Sequence, residues 1–144
     1  MKILLAIDDS NFSVAAANSV VAHFPPKHTE VTVLHVVEPV IAMVDPPQMS
    51  KGYYPEVEDR LPQARELVDR VAKKLSSAGF KVTTAVTTGD ARNTILESAA
   101  ASHVDLIVLG SHGRTGLKRF FFGSVSEAVV RHAHCSVLIV RMPS

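Results

Sequence analysis

DLIVLGSHGRTGLKRFFFGSVSEAVVRHAHCSVLIV, residues 105–140, decides the architecture and carries most of the chemistry of the chain. Asp105 to Leu109 is a short apolar run, as expected of a strand covered on both faces. Gly110-Ser111-His112-Gly113 follows as a turn. Ser124 to Arg131 then reads as a helix opened by Gly123, and Ser136 to Val140 as a second apolar strand. Strand, helix, strand in that order is the signature of a parallel pair, because a parallel return needs a crossover.

The same alternation recurs toward the N-terminus. Lys2 to Ile7 is a continuous apolar run closed by Asp8-Asp9. No small-residue cleavage site follows it, so it reads as a buried first strand rather than an export signal. Ser10 or Asn11 caps a helix through Val20 and Val21, which Pro25-Pro26 stops. Glu30 to Val37 is rich in β-branched residues and reads as the second strand. Glu38 to Pro62 keeps no period and holds Pro39, Pro46, Pro47, Pro55 and Pro62, so a long loop is expected. Beyond it Leu61, Ala64, Leu67, Val68, Val71, Ala72 and Leu75 share a helical face, and either Pro55 or Pro62 suits the first turn of that helix. Lys81 to Thr87 is the third strand, and Asp90 caps a short helix ending at Ala101. The expectation is a single α/β domain over residues 1–144. It has three layers: a five-stranded parallel sheet in the order 3-2-1-4-5 with two helices on each face, in a Rossmann-like arrangement.

Composition narrows the class of function. The chain has 144 residues, 47% of them apolar, enough for one core and too apolar for bulk disorder. A net charge of +1 with the basic residues spread along the chain gives no footing for nucleic acid or a membrane surface. No apolar run approaches the ~20 residues of a bilayer-spanning helix. Cys135 is the sole cysteine, which rules out an internal disulfide and leads to the expectation of a reducing, cytoplasmic setting.

In an open parallel sheet, ligands collect beyond the carboxyl ends of the strands. A glycine-rich turn there lets main-chain amides approach a phosphate with no Cβ in the way. Gly123-Ser124 places the amides of Ser124, Val125 and Ser126 at a helix N-terminus, which favours anions. Arg114, Lys118 and Arg119 in the intervening loop add positive charge. The same letters also fit a plain turn followed by a capping box, Ser124-Val-Ser-Glu127. Spacing alone leaves both readings open. Neither the Walker pattern nor the GxGxxG fingerprint is present.

The string GSHGRTGLKRFFFGSVSEAVVRHAHCSVLIV resembles the C-terminal segment of the universal stress protein family. The ATP-binding branch of that family carries Gly-x2-Gly-x9-Gly-Ser/Thr, matched by Gly110, Gly113, Gly123 and Ser124. KILLAIDDS resembles the family's first strand with its terminal acid, and VTVLHVVE its second. The resemblance implies an adenine nucleotide, ATP with AMP or ADP as alternatives, and Mg2+ reaching Asp8 through Mg-ATP. It places Asp8 near adenine and ribose, Ala6 and Ile7 along the same cleft, and the Val36 backbone against the adenine edge. Leu109 and Gly110 pass beneath the ribose, and Gly113, Gly123, Ser124, Val125 and Ser126 hold phosphates, with Arg114 as a further phosphate contact. It also implies a homodimer joined through the fifth strand, Val137 to Val140.

The function so implied is a nucleotide-binding stress or signalling protein that changes state with bound ATP. A slow ATP hydrolase and an apo scaffold with a vestigial site are the alternatives. A phospho-accepting receiver domain fits poorly, because Gly110 stands where the DLIVLG strand would need an acid. His35, inside an apolar strand, reads as a satisfied core histidine, and Phe120-Phe121-Phe122 as an anchor of the loop into the core.

Overall fold

The computed structural model describes residues 1–39, 55–113 and 122–142. Its elements are β1 (Lys2–Ile7), α1 (Asn11–His23), a short 3-10 turn (Pro26–His28), β2 (Glu30–Val37) and α2 (Pro55–Ser77). They continue with β3 (Lys81–Thr88), α3 (Ala91–Ala101), β4 (Leu106–Gly110), α4 (Ser124–His132) and β5 (Ser136–Val140). The strands form a parallel sheet in the order β3-β2-β1-β4-β5, as the sequence led us to expect. The order of strand connection turns back between β1 and β4, which run parallel, so the carboxyl ends of these two strands bound a crevice.

Two-residue side-chain alternation sorts the core into two layers. Ile3, Leu5 and Ile7 of β1 join Val20 of α1 and Val68 and Leu75 of α2 on one face. Leu4 and Ala6 join Ile95 and Ala99 of α3 and Val129 of α4 on the other. Each face therefore carries two helices. Leu5 and Ile107 are fully buried, which explains why β1 and β4 read as unbroken apolar runs.

Of the two prolines that suited the first turn, the structure takes the earlier one. Residues 55–62, counted in the expected loop, are helical, and α2 begins at Pro55. Proline loses nothing at a first helical position, where its missing N–H would have no partner. Pro62 lies inside the helix. The apolar row Val57, Leu61 and Ala64 packs against Val37 and carries the helix back past it. The remainder of the expected loop, residues 40–54, lies outside the described residues.

Among the described residues no helix is long and apolar enough to cross a membrane. Cys135 is half-buried. Burial pushes its thiol above the ordinary value, and the charge of Asp105 adds to this, against a lowering hydrogen bond from the Ile107 backbone. A thiol so placed is a poor nucleophile near neutral pH.

Candidate functional site

The turn leaving β1 is organised by Asp8. Its Oδ1 accepts from the Ser10 amide at 2.9 Å, from the Ser13 hydroxyl at 2.9 Å, and from the Ser10 hydroxyl. The Ser13 hydroxyl oxygen in turn accepts from the Asp8 amide at 2.7 Å. This closes an Asx-type turn that starts α1, whose N-cap position, Ser10, makes no side-chain cap bond of its own. With Oδ1 committed, Oδ2 is turned toward Gly113, where a Cβ would stand 3.0 Å from it.

β4 ends against the same turn. A Cβ on Gly110 would sit 2.6 Å from the Phe12 Cβ and 2.9 Å from the Phe12 carbonyl carbon and oxygen. The missing side chain of Gly110 therefore makes room for α1, where the sequence suggested room for ligand. Phe12 then meets His112 with ring centroids 5.2 Å apart and planes inclined at 48°. Ser111 donates its amide to the Val140 carbonyl at 2.9 Å. By strand alternation Gly110 turns its main-chain groups the other way, toward β1.

The two halves of the glycine motif close on each other. The Gly123 amide donates to the Ser111 carbonyl at 2.7 Å, and the Ser126 hydroxyl reaches the same oxygen at 2.8 Å. A Cβ on Gly123 would lie 3.4 Å from the His112 Cα and 3.8 Å from the Gly113 nitrogen. Gly123, not Ser124, is the N-cap of α4, and it carries no side chain to cap with. Of the two readings left open by spacing, the Ser124 capping box is not formed: the helix ladder begins with Glu127 N–H to Gly123 C=O at 3.0 Å. The amides of Ser124, Val125 and Ser126 precede that first bond and have no acceptor in the ladder. Backbone donors at a helix start beside a crevice favour an anion.

On the β2 side, the Val37 carbonyl accepts from Gly89 at 3.1 Å, and the Glu30 amide donates to Met1 at 2.9 Å. Odd residues of β2 therefore face β3 and even ones face β1. Val36 turns its main chain toward β1, one step past the last pair, Ile7 with His35. The His35 Nδ1–H donates to the Ile7 carbonyl at 2.8 Å, which satisfies that ring as expected and ties the two strand ends together.

Asp8, Gly113, Gly123 and the first turn of α4 thus meet at one end of the sheet. Val36, Ala6 and Leu109 line the α3/α4 face below, and Val125 packs against that same layer. Ile7, the last residue of β1, turns its side chain into the layer opposite that of Ala6. Ser124 is exposed, whereas Ser126 is 2% exposed and spends its hydroxyl on the turn. Arg114, Phe120 and Phe121 lie outside the described residues. Phe122 is 39% exposed and does not anchor the loop in the core. Phe12, Ser13 and Ser111 were not singled out from sequence, and Ser10 was singled out only as a helix cap, the position it takes. For Asp8 and Ser10 the Asp-x-Ser turn pattern was the available signal. Among the described residues no group of three His, Cys, Asp or Glu side chains could hold a metal by itself. Concavities of about 140 and 430 Å3 beside Lys2, Glu30 and Lys81 lie at the opposite ends of the strands, away from where such sheets gather ligands.

A doubly wound parallel sheet with anion-receptive amides at its switch point defines a Rossmann-like α/β domain. The Universal stress protein family model matches residues 1–141, and the chain belongs to that family. It is 34% identical over 143 residues to the universal stress protein MJ0531 of Methanocaldococcus jannaschii, covering 99% of this chain and 82% of that one. The solved structure of MJ0577, from the same organism, superposes with a TM-score of 0.84 at 31% identity, covering 99% and 96% of the two chains. UspA from Lactobacillus plantarum gives 0.83 at 26%, covering 98% and 97%. More remote structures share the fold, among them an Arabidopsis thaliana member with AMP bound, at 18% identity and a TM-score of 0.70. Others were solved with cAMP and, from Archaeoglobus fulgidus, with dAMP.

Proposed function

We propose that this chain binds an adenine nucleotide at the β1/β4 crevice and serves as a cytoplasmic stress or signalling protein whose state follows occupancy. The observation that carries the reading is the meeting of the uncapped first turn of α4 with Gly113 beside Asp8. Gly113 leaves a space that a Cβ would fill against the one Asp8 oxygen facing it. A polyphosphate lying over this turn would bring its Mg2+ to Asp8, with Asp8 Oδ2 and phosphate oxygens as ligands of the metal. When bound, Mg2+ would offset the negative charge that Asp8 brings to the phosphates. AMP, cAMP and dAMP in remote family members support the choice of adenine. ATP is the preferred ligand of this reading because its β- and γ-phosphates bring to the amides of Ser124, Val125 and Ser126, and to Mg2+, negative charge that the single phosphate of AMP lacks. Titration calorimetry should give saturable heat with ATP and a weaker response with AMP. No heat with either on folded protein would remove the proposal.

Hydrolysis is not part of it, since Asp8 Oδ1 is already bonded to Ser10 and Ser13 and is a poor base for water. The proposal also includes a homodimer through β5, which ends the described sheet with half-buried Val137, Leu138, Ile139 and Val140. An apolar edge strand is a template for pairing. Light scattering at micromolar concentration should return twice the 15.5 kDa of the chain, and a monomer mass would sink the dimer.

A further inference from the structure

The end of β2 is tied down from three sides. The Val37 carbonyl accepts from Gly89 in the β3–α3 turn at 3.1 Å. The Glu38 carbonyl accepts from Arg60 Nη2 of α2 at 2.6 Å. The Glu38 carboxylate accepts from the Ala91 amide, the first residue of α3, at 2.8 Å. Asp90 already caps α3 through the Asn93 amide at 3.1 Å, so Glu38 is a second carboxylate on that helix start. Two residues before it, Val36 directs its main chain past the end of β1.

We infer that Glu38, with Arg60, is a positioning residue for base selection, fixing the direction of the Val36 carbonyl at the mouth of the crevice. The inference rests on the nucleotide reading above. A carbonyl held there accepts from an exocyclic amino group on a purine. Adenine presents an amino group at that position, whereas guanine presents an oxygen. Two acceptors face to face repel, and the discrimination lasts only while the carbonyl cannot turn away. Glu38 supplies that rigidity without touching ligand: its carboxylate holds α3, its carbonyl holds α2, and the peptide between Val36 and Glu38 is fixed by both.

The test compares ATP, GTP and inorganic triphosphate binding by calorimetry in wild type, Glu38→Ala and Glu38→Gln. Glu38→Ala should weaken ATP about tenfold while leaving triphosphate within about twofold, so the ATP-to-GTP preference narrows. Glu38→Gln keeps a side-chain oxygen for the Ala91 amide and should restore most of the preference. Equal losses for ATP and triphosphate would mark a merely structural role and overturn the inference, as would an unchanged ATP-to-GTP ratio. If Glu38→Ala does not fold, Arg60→Ala carries the same comparison from the α2 side. Failure of the wild type to bind ATP would instead overturn the nucleotide reading itself, and this inference with it.

Discussion

Gly110→Ala is expected to lower the free energy of unfolding by about 2–3 kcal/mol, at the upper end of what an overpacked methyl costs. The added Cβ would meet the Phe12 Cβ at 2.6 Å and its backbone at 2.9 Å. Neither obstacle is the tip of a flexible side chain, so the start of α1 has to retreat as a unit. Retreat pulls Phe12 off the His112 ring and Ser13 off Asp8. Urea denaturation should show a lower midpoint with an unchanged slope, the mark of a stability loss within an intact two-state fold. An alanine variant within about 0.5 kcal/mol of wild type would mean that α1 is softer than these contacts imply.

Asp8→Ala should damage stability and binding together, and Asp8→Asn should separate them. Alanine removes the acceptor for the Ser10 amide and for the hydroxyls of Ser10 and Ser13. Ser13 is 6% exposed, so its hydroxyl cannot turn to bulk water, and a cost of about 2 kcal/mol follows. Asparagine keeps an oxygen at the Oδ1 position and should recover most of that loss. It replaces the oxygen facing Gly113 with an amide nitrogen and removes the charge, so Mg-ATP binding should stay roughly tenfold weaker. Full recovery of binding in Asp8→Asn would show that the charge has no part in holding the nucleotide. Phosphate release that was fast in wild type and abolished by either variant would make the protein a hydrolase instead.

The middle of the sheet was readable because β1 and β4 are buried on both faces, and burial leaves a plain mark in sequence: ILLAI and LIVL are runs with no polar interruption. The start of α2 was harder, since Pro55 and Pro62 both suit a first turn, and the choice falls to Val57 and Ala64, which find their partner, Val37, across the fold. That contact is tertiary, and no local pattern announces it. For the site, the glycine spacing located the crevice but misassigned one of its reasons. Gly110 is small for the sake of Phe12, a residue nearly a hundred positions earlier in the chain. Asp8 was chosen as a ligand contact, and its hold on α1 through Ser13 went unseen because that bond depends on how the chain turns after β1. Spacing left the Ser124 capping box open as an alternative, and Gly123 closes it by filling the cap position, its amide drawn to Ser111.

β1 is the central strand, and it stops pairing with β2 at Ile7 opposite His35 while β2 runs on through Val37. The hollow above it is made by omission, bounded by rigid neighbours that belong to the scaffold. Such a recess can be reshaped by altering the surrounding turns without redesigning the hydrophobic layers on the two faces of the sheet underneath. It is also fragile in one direction: extending the middle strand by a couple of apolar residues would fill it while leaving the fold intact.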